Sequence, residues 1–475
     1  MSLKTSNLPF KARVDHEVHN TIMRKAVVKA QETIGANRQK MVDELGHWEE
    51  WRDLSKQIRN HVLANLDAYL YQLSEKVMEN GGKVYFAETA EEASAYIRKV
   101  ALEKNAKKIV KSKSMVTEEI GLNEVLEKEG MQVIETDLGE YLLQISGDKP
   151  SHIVVPAIHK DRHQIRKDLS EKLGYEGEET PEDMTRFVRE KIRQDFLEAD
   201  IGISGCNFAV AETGSVCLVT NEGNLRLATT LPKTHIAVMG MERIAPTFAE
   251  VDVLITMLAR SAVGARLTGY NTWLTGPREA GHVDGPEEFH LVIVDNGRSE
   301  VLASEFRDVL RCIRCGACMN TCPAYRHIGG HGYGSIYPGP IGAVISPLLG
   351  GYKDFKDLPY ACSLCTACDS VCPVRIPLSK LILSHRRVMA EKGITAKAEQ
   401  RAIKMFAYAN SHPGLWKVGM MAGAHAASWF INGGKTPLKF GAISDWMEAR
   451  DLPEADGESF RSWFKKHQAQ EKKNG

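Results

Sequence analysis

The sequence predicts an α/β domain on a largely parallel sheet, set between a helical N-terminal region and a helical C-terminal module that binds metal. Three observations carry this expectation. Short Val- and Ile-rich segments alternate with helix-like segments from about Gly81 to Asp295. The chain before residue 79 is charged, poor in glycine and helical in character. Two runs of four cysteines, "CIRCGACMNTCP" and "CSLCTACDSVCP", lie beyond residue 300, each in sequence that is again helical. The expected parts are a helical region over 1–78, the α/β domain over 79–300, the cysteine module over 301–395, and a helical segment with a charged tail over 396–475.

A chain of 475 residues has room for two or three domains. Its 61 Lys and Arg balance 61 Asp and Glu, so no excess charge advertises nucleic acid or an anionic membrane. The start, "MSLKTSNLPFKARVDHEV", lacks the apolar core and small-residue site of a signal peptide. The most apolar window, Val418 to Ile431, is too short to span a bilayer and contains His425 and Ser428. Clustered thiols without a secretion signal point to a reducing compartment, where they bind metal. A cytoplasmic protein is expected.

Strands are expected at 83–87, 107–111, 132–136, 152–158, 199–204, 215–220, 235–240 and 290–295, all rich in Val and Ile. Thr89 and Glu92 form a capping box, and Ala93, Ile97, Val100 and Ala101 then keep helical spacing. Phe306, Val309, Leu310 and Ile313 predict a helix entering the first cysteine run. Leu378, Leu381, Ile382, His385, Val388 and Met389 predict one leaving the second, stopped near Gly393.

The cysteines carry the clearest chemistry. Cys312, Cys315, Cys318 and Cys322 have gaps of two, two and three residues and a trailing proline; Cys362, Cys365, Cys368 and Cys372 repeat the pattern. This is the run that binds [4Fe–4S] clusters, in which the fourth thiolate serves the other cluster of a two-cluster protein. One cluster is assigned to Cys312, Cys315, Cys318 and Cys372, the other to Cys362, Cys365, Cys368 and Cys322. Zinc prefers ligands in separated pairs and does not suit these runs. The glycine-rich stretch between them is either a connector or a place where backbone amides approach sulfur. His327 and His331 read as surface or supporting residues.

Within the α/β domain, Lys111, Ser112 and Lys113 follow a strand and open a helix, a position suited to an anion, although Walker glycines are missing. Asn207, Glu212, Thr213, Asn221, Glu222 and Asn224 stand among apolar residues at strand ends, a combination that predicts a ligand site. Each of them alone is explained by capping or a turn. His159 and His163 read as a surface pair, with no carboxylate pattern to complete a metal site for them or for His152. Cys206 and Cys217 read as small buried residues. Gly329 to Gly334 does not match the dinucleotide fingerprint.

Each cysteine run abuts helical sequence, which resembles the helical ferredoxin module of respiratory dehydrogenases and heterodisulfide reductases. "KSKSMVTEEIGLN", "ETDLGEYLLQISGDKPSHIVVPAIHK", "NFAVAETGSVCLVTNEGN" and "CIRCGACMNTCPAYR" together resemble the lactate utilization protein B family. The resemblance implies that the middle domain is a LUD domain, similar to the sugar-phosphate isomerase and CoA-transferase superfamily. It also implies an iron–sulfur subunit that takes electrons from L-lactate, leaving pyruvate. Two partner subunits are implied, one cysteine-rich and like heterodisulfide reductase subunits, the other carrying a second LUD domain.

The expected function is electron transfer within an L-lactate-oxidising complex. A dehydrogenase active site in this chain alone would call for a flavin or nicotinamide, and neither fingerprint is present. The alternative is an iron–sulfur scaffold or redox sensor, with Pro413 to Phe440 as its docking surface.

Overall fold

The computed structural model describes residues 3–395, 397–430, 450 and 460–474. Four helices open the chain, Phe10–His19, Thr21–Leu45, Trp48–Ala64 and Leu66–Glu79. The Asn20 side chain starts the second by accepting from the Met23 amide at 3.1 Å, and Gly46 ends it at φ 66°.

Ten strands follow among the described residues: β1 Lys83–Ala87, β2 Lys108–Lys111, β3 Gln132–Glu135, β4 Ile201–Ser204, β5 Phe208–Val210, β6 Ser215–Thr220, β7 Thr234–Gly240, β8 Ile244–Ala245, β9 Tyr270–Leu274 and β10 Glu288–Val294. Six of them form the expected parallel sheet, in the order β1-β10-β7-β4-β2-β3. The crossover after β1 is the helix Ala90–Glu103, capped by Thr89, whose Oγ1 accepts from the Glu92 amide at 3.2 Å. Glu92 reaches back one residue further than expected, to the Glu88 amide at 2.9 Å. A second sheet, β8-β5-β6-β9, was not expected. β5 and β8 are three and two residues long, too short to show a period.

The strand expected at 152–158 does not form. Ser151 donates its amide to Pro156 O at 3.0 Å, and the His152 ring accepts from the Val154 and Val155 amides. These local bonds take donors a sheet would need, and Pro156 has none to give. The segment becomes a tight loop instead.

In the cysteine module the expected entering helix is a single 3-10 turn, Arg307–Arg311. Short helices Ala317–Asn320 and Ala367–Val371 carry the third cysteine of each run, Cys318 and Cys368. The stretch between the runs is mostly helical, Pro323–Tyr333 and Gly339–Gly350, and Leu378–Glu391 leaves as expected. Two of its glycines, Gly330 and Gly342, allow close approach, but to the protein's own backbone. A Cβ at Gly330 would meet Ser151 O at 2.0 Å. One core joins all three parts: Met23 and Val27, Phe208 and Leu254, and Ile313, Ile341 and Ile382 belong to it.

The chain divides into two compact units, Met1–Met389 and Ala390–Gly475. The second contains the helices Lys397–Ser411, Pro413–Phe430 and Phe460–Asn474, the last running through the charged tail. Residues 431–440 of the suggested docking surface lie outside the described residues. Among the described residues no helix is long and apolar enough to cross a membrane.

Candidate metal centres and ligand pocket

The two cysteine runs fold alike. Arg314 and Leu364 each donate an amide to the first Sγ of their run, Cys312 at 3.4 Å and Cys362 at 3.3 Å. Each first loop then turns through a left-handed residue, Gly316 or Thr366, into its short helix. The Tyr325 and Ile376 amides point at Cys322 and Cys372 Sγ, at 3.5 and 3.3 Å. Burial pushes the Cys322 and Cys372 thiols up, and the amides beside them work against it.

Cys312, Cys315, Cys318 and Cys372 line one cavity, whose other walls include Ile153, Ile341 and Val374. The fourth thiol of the second run therefore stands with the first three of the first. Burial, then Asp369, then Cys322 and Cys362, push the Cys368 thiol up. Cys365 is exposed. Four sulfurs around an apolar hollow, with amides directed at them, suit a cluster with thiolate ligands.

The N-terminal helices brace these runs, which the sequence did not suggest. Arg52 donates to Cys372 O at 2.9 Å and Asp369 O at 2.8 Å. Gln31 donates to Met319 O at 2.8 Å. Both side chains are buried on helix faces where an apolar residue is usual, the one signal that was available.

A second cavity of about 310 Å³ lies between the α/β domain and the first cysteine loop. Of the residues expected at a ligand site, Ser112, Lys113, Asn207, Asn221, Glu222 and Asn224 line it. Asn207 fixes its wall by accepting from the Val219 amide at 2.9 Å. Asn221 accepts from the Gly269 amide and Glu222 from the Leu138 amide. Lys113 donates to Val154 O at 2.6 Å, tying the 151–158 loop to the rim.

Three expected residues do not line this cavity. Lys111 is buried beneath it and paired with Glu135 at 2.8 Å and Glu118 at 3.0 Å. Burial opposes its charge, but the two carboxylates prevail and raise its pKa. Glu212 and Thr213 occupy the β5–β6 turn, because Val210 pairs with Ser215 across that hairpin, whereas Asn207 lies at its other end. Glu212 accepts from the Phe248 amide at 3.2 Å, and Thr213 bonds Ser215.

The sequence missed Glu242, Arg243 and Arg314, which also line the cavity. Glu242 lies 2.8 Å from Arg298, which is itself paired with Glu119 at 2.8 Å. Arg314 stacks over the Tyr337 ring at 4.5 Å, and the Tyr337 hydroxyl donates to Glu119 at 2.7 Å. Burial works against ionisation of Glu242, but Arg298, Arg243 and Arg314 overcome it and hold its carboxyl at about 2. This buried network joins the sheet end to the cysteine loop.

His159 is not the expected surface residue. It is buried and bonds Asp148 at 2.9 Å, with His331 3.8 Å from the same carboxylate. The three join the 151–158 loop region to the helix Pro323–Tyr333. His163 is exposed and pairs with Glu179 instead.

Comparison with known proteins agrees with this architecture. Residues 70–294 match the LUD domain, 308–376 the 4Fe-4S dicluster domain, and 383–469 the C-terminal domain of lactate utilisation protein B. The dicluster match accords with two [4Fe–4S] clusters as the cofactors. The chain is 86% identical over 475 residues to an uncharacterized electron transport protein, YkgF, of Escherichia coli, with all of both chains covered. It is 58% identical over 468 residues to lactate utilization protein B of Bacillus cytotoxicus, covering 98% of this chain and 99% of the relative. It is 57% identical over 473 residues to the Bacillus pumilus protein of the same name, covering 99% and 100%. With its two cysteine runs folded against a LUD domain, this chain belongs to the lactate utilization protein B family.

Proposed function

We propose that this chain is the iron–sulfur electron-transfer subunit of a complex that oxidises L-lactate to pyruvate. The observation that carries the reading is Cys372 in the same cavity as Cys312, Cys315 and Cys318. Crossed ligation of this kind sets two clusters side by side. Cys312, Cys315, Cys318 and Cys372 hold one, and Cys322, Cys362, Cys365 and Cys368 the other. Each cluster, when bound, accepts and returns one electron.

The protein's residues prepare these sites. The Arg314 and Leu364 amides offset negative charge on Cys312 and Cys362, which favours the more reduced state. Arg52 and Gln31 hold the carbonyls of both runs in place. Cys365, the exposed cysteine, marks the side on which electrons enter or leave. The cavity beside Arg314 binds a ligand through Ser112, Lys113, Asn207, Asn221, Glu222 and Asn224.

The donor side belongs to partner subunits, one cysteine-rich and one bearing a second LUD domain, in the cytoplasm. The family resemblance supports the partners, and the relatives' names, electron transport and lactate utilization, support the role of this chain. Purification without oxygen, an iron and sulfide count, and EPR after adding L-lactate test it, with dithionite as the full-reduction control. About eight irons, and reduction by L-lactate only with partners present, are expected. Reduction by L-lactate of the isolated chain would place the dehydrogenase here. No reduction in either mixture, with dithionite effective, would overturn the donor and favour a scaffold.

A further inference from the structure

The cavity beside the first cysteine loop has donors that the protein does not use. Ser112 is 2% exposed and its Oγ has no hydrogen-bond partner. The Arg314 side chain is 10% exposed and its Nη1 has none either. Among the described residues the carboxylate that Arg243 and Arg314 reach is Glu242, at 3.7 and 3.8 Å, and it is already paired with Arg298 at 2.8 Å. Three guanidinium groups, of Arg243, Arg298 and Arg314, therefore face two carboxylates, Glu119 and Glu242, and leave one positive charge in excess beside the cavity. Compensation of cysteine thiolates would account for that charge. It leaves the Arg314 Nη1 and Ser112 hydroxyl unsatisfied, and buried polar groups without partners are costly.

We propose that this cavity binds an organic carboxylate between Ser112, Arg243 and Arg314, and that its affinity is linked to the oxidation state of the centre at Cys312, Cys315, Cys318 and Cys372. The proposal rests on the electron-transfer reading above and names the ligand class of the same site. A guanidinium presents paired donors that match a carboxylate. Leu218, Leu258 and Ala262 on the cavity wall suit a carbon body, and the unpartnered Asn224 Oδ1 suits a hydroxyl on it. Asp137 and Glu222, also lining the cavity, disfavour a more highly charged phosphate. The 310 Å³ exceed a three-carbon acid and leave space for water, which occupies about 30 Å³ per molecule.

Arg314 supplies the linkage, because it belongs to both sites. Its amide donates to Cys312 Sγ at 3.4 Å, while its side chain lines the cavity. An anion on that side chain adds negative charge near the four thiolates and disfavours a further electron there. By reciprocity, reduction weakens the anion's binding by the same factor. The oxidised protein holds the carboxylate and the reduced protein releases it.

The test uses the full chain, reconstituted without oxygen. Equilibrium dialysis measures labelled L-lactate, pyruvate and inorganic phosphate against oxidised and dithionite-reduced protein, and an EPR-monitored titration measures the midpoint potential. At least one of the two acids binds once per chain, and its affinity falls about fivefold or more on reduction. The midpoint moves to more negative potential by the matching amount, about 59 mV for each tenfold in a one-electron couple. Ser112→Ala removes no bond within the protein, yet weakens binding about fivefold or more while iron content and the ligand-free midpoint stay unchanged. Arg314→Gln abolishes the ligand-dependent shift. Binding of neither acid, binding of phosphate alone, equal affinity in both states, or indifference to Ser112→Ala would each overturn the proposal. The iron count and partner-dependent reduction report separately on electron transfer. If both succeed and neither acid binds, only this proposal fails. If an acid binds with the expected linkage but L-lactate never reduces the chain through its partners, the function reading fails and the site stands.

Discussion

Arg314 and Leu364 are structural equivalents: each stands two residues after the first cysteine of its run, at φ 58° and 57°, and each donates its amide to that cysteine's Sγ. A left-handed conformation costs a non-glycine residue about 1–2 kcal/mol. That cost is met twice, at matching positions, where it turns an amide toward sulfur.

Leu364→Pro tests this directly. Proline removes the amide and cannot adopt the positive φ, so the second centre is expected to be lost and iron to fall from about eight to about four per chain. Leu364→Gly relaxes the strain and keeps the amide, so it should retain full iron. Equal iron in both variants, by chemical assay after anaerobic purification, would show that the amide is dispensable.

The proposed crossed ligation assigns Cys372 to the first centre, in keeping with the cavity it shares with Cys312, Cys315 and Cys318. Cys372→Ala and Cys315→Ala should therefore alter the same EPR signal, and Cys322→Ala and Cys365→Ala the other. If Cys372→Ala shared its signature with Cys365→Ala, each run would serve its own cluster.

Gly330 lies against Ser151, with no space for a methyl group. Gly330→Ala must push the helix Pro323–Tyr333 away from the 151–158 loop, at a cost of about 1–3 kcal/mol. Gly351→Ala strains only its own backbone, since nothing lies within 4 Å of a Cβ there. Chemical denaturation should show a larger loss for Gly330→Ala than for Gly351→Ala.

His385 gives the fold a pH dependence. Its ring bonds Tyr352 Oη at 2.7 Å and Val344 O at 2.9 Å and stacks on Phe306. Burial lowers its pKa to about 4, only partly offset by the Val344 carbonyl. Between the ordinary value of about 6.5 and that value, the unfolded chain binds a proton that the folded chain does not. Stability from this group is thus fully present above about pH 6.5 and lost as pH falls toward 4, by up to about 3 kcal/mol. Urea unfolding at pH 7 and pH 5 should show a smaller difference in His385→Gln than in the parent chain.

Much of this architecture is legible locally. The parallel strands announce themselves by Val and Ile, as in "HLVIVD", because a strand buried on both faces must be apolar throughout. The segment "HIVVPAI" has the same composition and fails, since His152 and Pro156 favour a hydrogen-bonded loop over a ladder. Glu212 and Asn224 read as one site in sequence, yet a hairpin places Glu212 at the end away from the cavity and pairs it with the Phe248 amide. Composition does not encode which end of a hairpin faces inward.

The sequence by itself determined the metal chemistry, because sulfur ligands two and three residues apart are set by local chain geometry and need no distant partner. It also determined the α/β class, through short apolar strands separated by helices. Only the tertiary structure decided that Ser112, Arg243 and Arg314 share one cavity, and that Gln31 and Arg52 brace the cysteine runs. Those residues are brought together by the packing of the α/β domain and the N-terminal helices against the cysteine module. Contacts between segments so far apart in the chain follow from a shared core, and no local periodicity records them.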